Sequence, residues 1–515
     1  MHKPIVLREL LAGQFEVALF DIGNNDLPAA FGDCLDNRQA DTRCPACYEN
    51  RVLHGQFIIH NSRGLKSILR ATTSFIRESP RNLHYARRDL EFRNYVRFDD
   101  SGIRGMPLLQ LDLWTVFAWA VAAAWIAITV AFARGCRKRS MLRAVGPETT
   151  LVDIPRLSVI VAARNESDCI ETCVRSLLRQ DYRNLEVIAV NDRSTDDTGA
   201  ILERLAKEFA GRLQTAHVSS LPAGWFGKPH ALDLGIQSAT GSLILFTDAD
   251  CEFLAPSALR TAVGEALRRD YDFFTIAARY SMNSLRESVT VPCCSETLMA
   301  WLRPERADDP RTADVFANGA FILVRRAPFE QIGGWGAVRS QISEDLQLAR
   351  LAKRSGLSVG VAQAEGFYQT QSYRSTHESW DGWSRILKGT LSPVQLFITV
   401  GRMLVLFALP LGAIFWGLSD ALRTGTFAWL AHGAGLAFAV AFTLRCVLDV
   451  VTFRLVGAPV AAVPLAPLGR LFVMAAATRA LLSHAGLVHT HWRGATFAAG
   501  QLVMPLQAQP EPHSP

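Results

Sequence analysis

The stretch Leu243-Ile244-Leu245-Phe246-Thr247-Asp248-Ala249-Asp250-Cys251 decides the fold. Four apolar residues run into two carboxylates one residue apart. A short unbroken apolar run of this kind reads as a strand covered on both faces, as in a parallel sheet. Ligands of such sheets bind beyond the carboxyl ends of the strands, where Asp248 and Asp250 stand. Carboxylates this close repel one another unless a cation or a hydrogen-bond network holds them. Oxygen ligands suit Mg²⁺ or Mn²⁺, and Mg²⁺ is commonly shared between carboxylates and substrate phosphates. The pair reads as a metal–diphosphate site; the alternative is a solvated acidic turn that closes a strand.

The same pattern repeats upstream. Leu157–Ala163 is a buried strand that runs into Arg164-Asn165-Glu166-Ser167, and Ile170, Cys173, Val174, Leu177 and Leu178 follow with helical spacing. Leu185–Val190 is a second strand, ending at Asn191-Asp192, with Thr195 and Asp196 placed to cap the next helix. Strand–helix–strand–helix order predicts a parallel sheet with right-handed crossovers. Its edge presents Glu166 and Asp192 beside Asp248 and Asp250, and strand-end carboxylates accept hydrogen bonds from a ribose or a base. Each alone reads equally as a cap or loop residue.

Gly224-Trp225-Phe226-Gly227-Lys228 precedes a helix. Two glycines and a lysine in such a loop suit close approach to an anion, although the spacing is not that of a Walker A loop. Asp272–Ala278 is a further strand. Asn318-Gly319-Ala320 either makes room beside a ligand or forms a turn. Ser343-Glu344-Asp345-Leu346 opens a helix, where acidic residues favour the dipole; a catalytic reading makes Asp345 a general base.

Taken together, these pieces resemble the family-2 glycosyltransferases over roughly residues 155–390. The motifs are ARNES, NDRST, GWFGKPHAL, TDAD, NGA and SEDLQLA, in the family's order. The resemblance implies an α/β GT-A nucleotide-sugar-binding domain with a mostly parallel sheet, and inverting chemistry. It implies that Glu166 and Asp192 hold the nucleoside, that Lys228 lies near the donor, and that Asp248 and Asp250 position a divalent metal and the diphosphate. Asp345 would deprotonate the acceptor hydroxyl, and Glu344 beside it joins the donor-binding set. Uridine donors are the family's prior expectation. A base must attack from the face opposite the leaving diphosphate, which suits Asp345 on a distant part of the chain. The Q-x-x-R-W motif of processive members is not reproduced. Trp380-Asp381-Gly382-Trp383-Ser384-Arg385 stands in its place, so Trp383 would wall the acceptor and Arg385 would meet the diphosphate, unless the tryptophans are interfacial anchors. This variant, with Trp492-Arg493-Gly494, resembles lipid-directed branches: the carotenoid- and hopanoid-associated and ceramide glycosyltransferases.

The apolar segments fit an acceptor in a membrane. Leu113–Ala133 has no charged residue and is long enough to cross a bilayer. Arg134, Arg137, Lys138, Arg139 and Arg143 follow, which places that end and the next domain in the cytoplasm. Leu396–Leu418 and Phe427–Leu448 read as two further spans, with Arg402 and Arg445 near their ends. Leu455–Leu487, interrupted by prolines and by Arg470 and Arg479, reads as a broken span or an interfacial helix. Leu285–Leu302 is an amphipathic surface helix or a subdomain insert. The expected organisation is an N-terminal extension over 1–105, an N-terminal span with its basic flank over 106–140, a cytoplasmic GT-A domain over 150–390, membrane or interfacial helices over 394–490, and a polar tail over 491–515, in the cytoplasmic membrane.

The first 105 residues fit poorly with the rest. Arg87, Arg88, Arg93, Arg97 and Arg104 blur the charge asymmetry, and a start at Met106 removes the conflict, so this segment is expected to be an upstream extension absent from the native protein. Cys34, Cys44, Cys47, His54 and His60 match no standard zinc spacing. A net charge of +6 over 515 residues, with no basic face interleaved with aromatics, excludes a nucleic-acid partner. The leading expectation is a membrane-bound enzyme moving one sugar from a nucleotide sugar to a lipid hydroxyl. The alternatives are a processive polysaccharide synthase and a catalytically silent nucleotide-sugar-binding membrane protein.

Overall fold

The computed structural model describes residues 113–138, 140–142 and 154–505, apart from residues 278, 372, 374, 432, 489, 493–494 and 499–500. The proposed extension, Met106, the cysteine–histidine set before it and the tail from residue 506 lie outside the described residues.

Helix α1 (Leu113–Lys138) is apolar over its length and ends on Arg137 and Lys138. It leads into β1 (Met141–Leu142). The central domain then alternates strands and helices: β2 (Leu157–Ala163), α2 (Ile170–Leu178), β3 (Leu185–Asp192), α3 (Thr198–Glu208), β4 (Leu213–Val218), α4 (Gly227–Ser238) and β5 (Leu243–Asp248). It continues through β6 (Cys251–Phe253), α5 (Ala258–Arg268), β7 (Phe273–Ala277), β8 (Arg279–Ser281), α6 (Leu285–Leu302), β9 (Ile322–Arg325), α7 (Glu344–Arg354), β10 (Val359–Ala364), β11 (Tyr368–Gln371) and α8 (Thr376–Thr390). The α3 cap falls one residue later than the sequence suggests. Asp197 is the N-cap residue, while the Asp196 carboxylate accepts from the Thr198 N–H and hydroxyl at 3.1 and 2.6 Å.

The main sheet has the order β1-β10-β7-β9-β5-β2-β3-β4. Only β9 is antiparallel, to β5 and β7. The strands read as unbroken apolar runs because helices cover both faces. Val159, Val161, Val187 and Leu245 pack into one core with α2 and α5, and Ile160, Ile188, Ile244 and Phe246 into another with α4 and α7. Burying each such side chain stabilises the fold by about 1.5–3 kcal/mol. Helix α4 lies so close that a Cβ on Gly235 would stand 2.5 Å from Ile160 Cγ2. Strand order reverses between β2 and β5: β3 and β4 extend one way from β2, and β5 lies on its other side. A crevice forms at such a switch point.

Among the described residues, four helices are long and apolar enough to cross a membrane: α1, α9 (Pro393–Thr424), α10 (Gly433–Val456) and α11 (Val460–His484). Their outer faces leave Phe397, Phe415, Trp416, Leu422 and Leu468 exposed, as lipid-facing positions require. Of the two readings of the last segment, α11 takes the form of a candidate span, entered through a 3₁₀ turn at the prolines. The span expected over Phe427–Leu448 is shifted to α10, which places Arg445 within a helix rather than near its end. Helix α6 packs on α10 and α11 through Val289, Val291 and Cys293 and shares that core with Trp383, so it clamps the central domain to the apolar helices. The expected tail from residue 491 is corrected in part. Thr490–Trp492, Ala495–Ala498 and Gln501–Pro505 form an antiparallel three-stranded sheet, whose alternating residues and intervening glycines the composition alone obscured.

Candidate active site

The switch point gathers the predicted carboxylates. Asp248 is the last residue of β5, and Asp250 follows in the turn before β6, its carbonyl accepting from Gln371 N–H at 3.1 Å. Glu166 approaches from the loop after β2. That loop is fixed by Asn165, in the left-handed region at φ 55°, where asparagine is tolerated. The Asn165 side-chain oxygen accepts from Thr195 N–H at 2.8 Å, and Ser194 Oγ accepts from Asn165 N–H at 3.1 Å. The two polar motifs of the sequence are thus one stitched pair of loops. Glu166 Oε2 accepts from the Cys169 thiol at 3.3 Å. Burial, with Asp248 and Glu166 as like-charged neighbours, pushes the Asp250 carboxyl up to about 7.

Lys228 crosses this group. Its Nζ lies 2.5 Å from Asp248 Oδ1 and 3.5 Å from Glu344 Oε1. Burial opposes its charge, but Asp248 and Glu344 outweigh that and hold its pKa well above the usual lysine range. Gly227 has a steric reason that sequence reading missed: a Cβ there would lie 2.4 Å from Asp192 Oδ2. Asp192 itself is buried and accepts from Arg193 Nε at 2.8 Å. It borders the α4 N-terminus and is absent from the cavity wall that carries the other predicted residues.

Asp345 faces the group from α7. Its Oδ1 accepts from Leu346 N–H at 2.7 Å and its Oδ2 from Gly319 N–H at 2.9 Å. The second bond explains the Asn-Gly-Ala motif. Asn318 is locked by bonds from its amide to Ile276 O and Tyr368 Oη, and the turn presents the Gly319 N–H to the carboxylate. A Cβ on Gly319 would stand 2.9 Å from Lys228 Nζ and 3.4 Å from Asp345 Oδ2. Burial, then the adjacent Glu344 charge, raises the Asp345 carboxyl to about 6.

These groups line one cavity of about 950 Å³ together with Trp383 and Arg385. Trp383 is buried and meets Tyr280 and Tyr373 at ring-centroid distances of 6.5 and 6.4 Å. It is a wall residue and not an exposed interfacial anchor. Tyr280 and Tyr373 were not legible as site residues, because a lone tyrosine in a loop or edge strand carries no pattern. The far wall belongs to the apolar helices: Trp125 and Phe132 of α1, Leu298 and Met299 of α6, Leu406 of α9 and Leu448 of α10.

The chain of carboxylates fits a divalent cation that shares its shell with a ligand. Asp250 is crowded by like charges that a cation would relieve, yet no group of three or more His, Cys, Asp or Glu side chains forms a ready cage among the described residues.

The signature of glycosyl transferase family 2 matches residues 158–333, and that of glycosyl transferase family 21 matches residues 310–501. The chain thus carries a family-2 glycosyltransferase domain over residues 158–333. The family-2 match covers the switch-point strands and five of the candidate residues, Glu166, Asp192, Lys228, Asp248 and Asp250, and the family-21 match carries on through α7, α8 and the C-terminal apolar helices. A 4,4'-diaponeurosporenoate glycosyltransferase of Staphylococcus aureus (strain USA300) is 25% identical over 274 residues, covering 52% of this chain and 70% of the relative. Among solved structures, the mannosyltransferase PcManGT from Pyrobaculum calidifontis, in complex with GDP-Man and Mn²⁺, is 20% identical with a TM-score of 0.43, over 72% of this chain and 99% of that one. A glucosyl-3-phosphoglycerate synthase from Mycobacterium tuberculosis, with Mn²⁺, UDP-glucose and phosphoglyceric acid, is 19% identical with a TM-score of 0.35, over 49% and 86%. Among the described residues, this glycosyltransferase domain is accompanied by four long apolar helices.

Proposed function

We propose that this glycosyltransferase inverts the sugar it transfers, moving a single unit from a nucleotide sugar, with UDP as the favoured carrier, to the hydroxyl of a membrane lipid. The observation that carries this reading is the shared cavity, with carboxylates at the sheet edge and helix residues of the spans on its opposite wall. The Staphylococcus aureus relative, named for a lipid-type substrate, supports the same acceptor class. Basic residues at the end of α1, which runs straight into the catalytic sheet, support a multi-pass protein with its active site on the cytoplasmic side of the cell membrane.

Glu166 and Asp192 bind the nucleoside. Asp248 and Asp250 hold Mg²⁺ or Mn²⁺, which when bound neutralises charge on the departing diphosphate. Lys228 and Glu344 form the bridge that seats the donor, and Arg385 adds a cation on the same wall. Asp345 takes the proton from the acceptor hydroxyl. Two backbone N–H bonds aim its carboxylate, and its raised pKa strengthens it as a base while leaving it ionised at neutral pH.

The test is a transfer assay on the chain in lipid nanodiscs, with Mg²⁺ or Mn²⁺, a panel of nucleotide sugars and a total lipid extract from its host. A lipid that gains one sugar mass, lost on adding EDTA, is expected. A ladder of masses would establish a polymer synthase instead, and no nucleotide release with any donor would establish a silent binding protein.

A further inference from the structure

The span side of the cavity carries charge at one level. Arg402 lies nine residues from Pro393, Arg445 eleven from Val456 and Arg470 ten from Val460, which at ~1.5 Å per residue is about 14–17 Å along each helix. All three of those ends face the catalytic domain. Pro393 follows α8 directly. The link between α10 and α11 lies against β8 and β10: a Cβ on Gly457 would meet Arg279 Nε at 2.4 Å, and Gln363 Nε2 donates to Leu455 O at 3.3 Å. All three arginines line the cavity. A charge at half the depth of a span is expensive and marks a partner or a substrate path.

Two of the three have their partners. Arg445 donates to both oxygens of Glu296 at 2.5 and 2.6 Å and also binds Asp449, which Arg470 binds as well. Two guanidinium groups thus meet two carboxylates, and the set is neutral. Arg402 is left over. It is exposed on the cavity wall and makes no hydrogen bond or ion pair among the described residues. The acid that it influences, Glu296, already gives both oxygens to Arg445.

We propose that Arg402 binds an anionic group, a carboxylate or a phosphate, carried by the lipid that enters this cavity. The acceptor is then an amphiphile with two polar points: the hydroxyl at Asp345 and an anion at the level of Arg402, with an apolar stretch between. This rests on the reading that the cavity admits the acceptor, and it deepens that reading by assigning the acceptor's charge.

The test uses binding alone, without donor or metal. Radiolabelled stearate and stearyl alcohol are titrated onto the chain in phosphatidylcholine nanodiscs at mildly alkaline pH, with empty nanodiscs subtracted. Stearate is expected to bind about tenfold more tightly than the alcohol. Arg402→Gln should abolish that preference without weakening alcohol binding, and Arg402→Lys should keep it. Equal binding of the two probes by the wild-type chain, as expected if Arg402 only meets bulk phospholipid phosphate, would overturn the proposal. So would a preference that survives Arg402→Gln. Failure of sugar transfer would overturn the proposed function and leave this binding preference standing.

Discussion

Two charged clusters face each other across one cavity, and they are built on opposite principles. At the sheet edge, Asp248, Asp250, Glu166, Glu344 and Asp345 crowd together with Lys228 paired to Asp248 and Glu344, and Asp250 and Asp345 are driven well above the usual carboxylate range. Between the spans, Arg445 and Arg470 are matched by Glu296 and Asp449 with multiple bonds. The first cluster holds crowded negative charge that a cation would relieve. The second is balanced within the protein and fastens α6, α10 and α11 together. Unbalanced charge marks where a ligand acts, and balanced charge marks where helices are held.

The largest effect expected from that contrast is on the unbalanced side. Asp345→Asn should lower kcat by about 10²–10⁴ while nucleotide binding, read by titration calorimetry, stays within about twofold. Equal loss of both would make Asp345 a donor ligand. The balanced side should respond in stability. Arg445→Met takes both hydrogen bonds from Glu296 and leaves Arg470 to meet two carboxylates among apolar helices, at a cost of about 3–5 kcal/mol, seen as a lower unfolding temperature in detergent. The double variant Arg445→Met, Glu296→Met should recover part of it. Full stability of the single variant would show that the cluster does not fasten the helices.

Asp250→Asn should do the opposite, removing a strained charge. A carboxyl raised to about 7 costs stability when ionised: the cost is complete above pH 7 and vanishes near pH 4, where the unfolded group is protonated too. The variant should therefore unfold at a higher temperature than wild type at pH 8 without metal, with the gap closing as pH falls, even as transfer is lost. The smallest effect is a shift in a profile. Asp345 must be ionised to act, so kcat/KM should fall about tenfold per pH unit below about 6. Glu344→Gln removes a like charge and should move that inflection to lower pH; a shift upward would mean that Glu344 acts through Lys228 instead.

Much of the carboxylate cluster at the sheet edge was legible in the sequence because local patterns encode it. Unbroken apolar runs marked β2, β3 and β5, and Glu166 beyond β2 and Asp248 at the end of β5 fell on the cavity wall, whereas Asp192 at the end of β3 did not. β4, with the weak pattern Leu213-Gln-Thr-Ala-His-Val, and the short β6 and β11 gave no such signal. Nor did the Gly319 N–H bond to Asp345, since it depends on a turn locked by a tyrosine 50 residues away. The span cluster was invisible for a different reason. Arg445 and Glu296 are 149 residues apart, and within an apolar run an arginine reads as an interruption until its partner is seen. The same arginines and prolines disguised α11 as a broken segment.

The most direct measurement separates the two ends of the cavity. Leu406→Trp places an indole on the span-side wall, away from every carboxylate of the sheet edge. Nucleotide-sugar hydrolysis and transfer to lipid would be followed together in nanodiscs with Mn²⁺. If one cavity joins donor and lipid, transfer should fall by an order of magnitude or more while hydrolysis and nucleotide affinity stay near wild type. Transfer that continues unchanged would contradict an acceptor entering from the spans, and equal loss of both activities would contradict the division of the cavity into two ends.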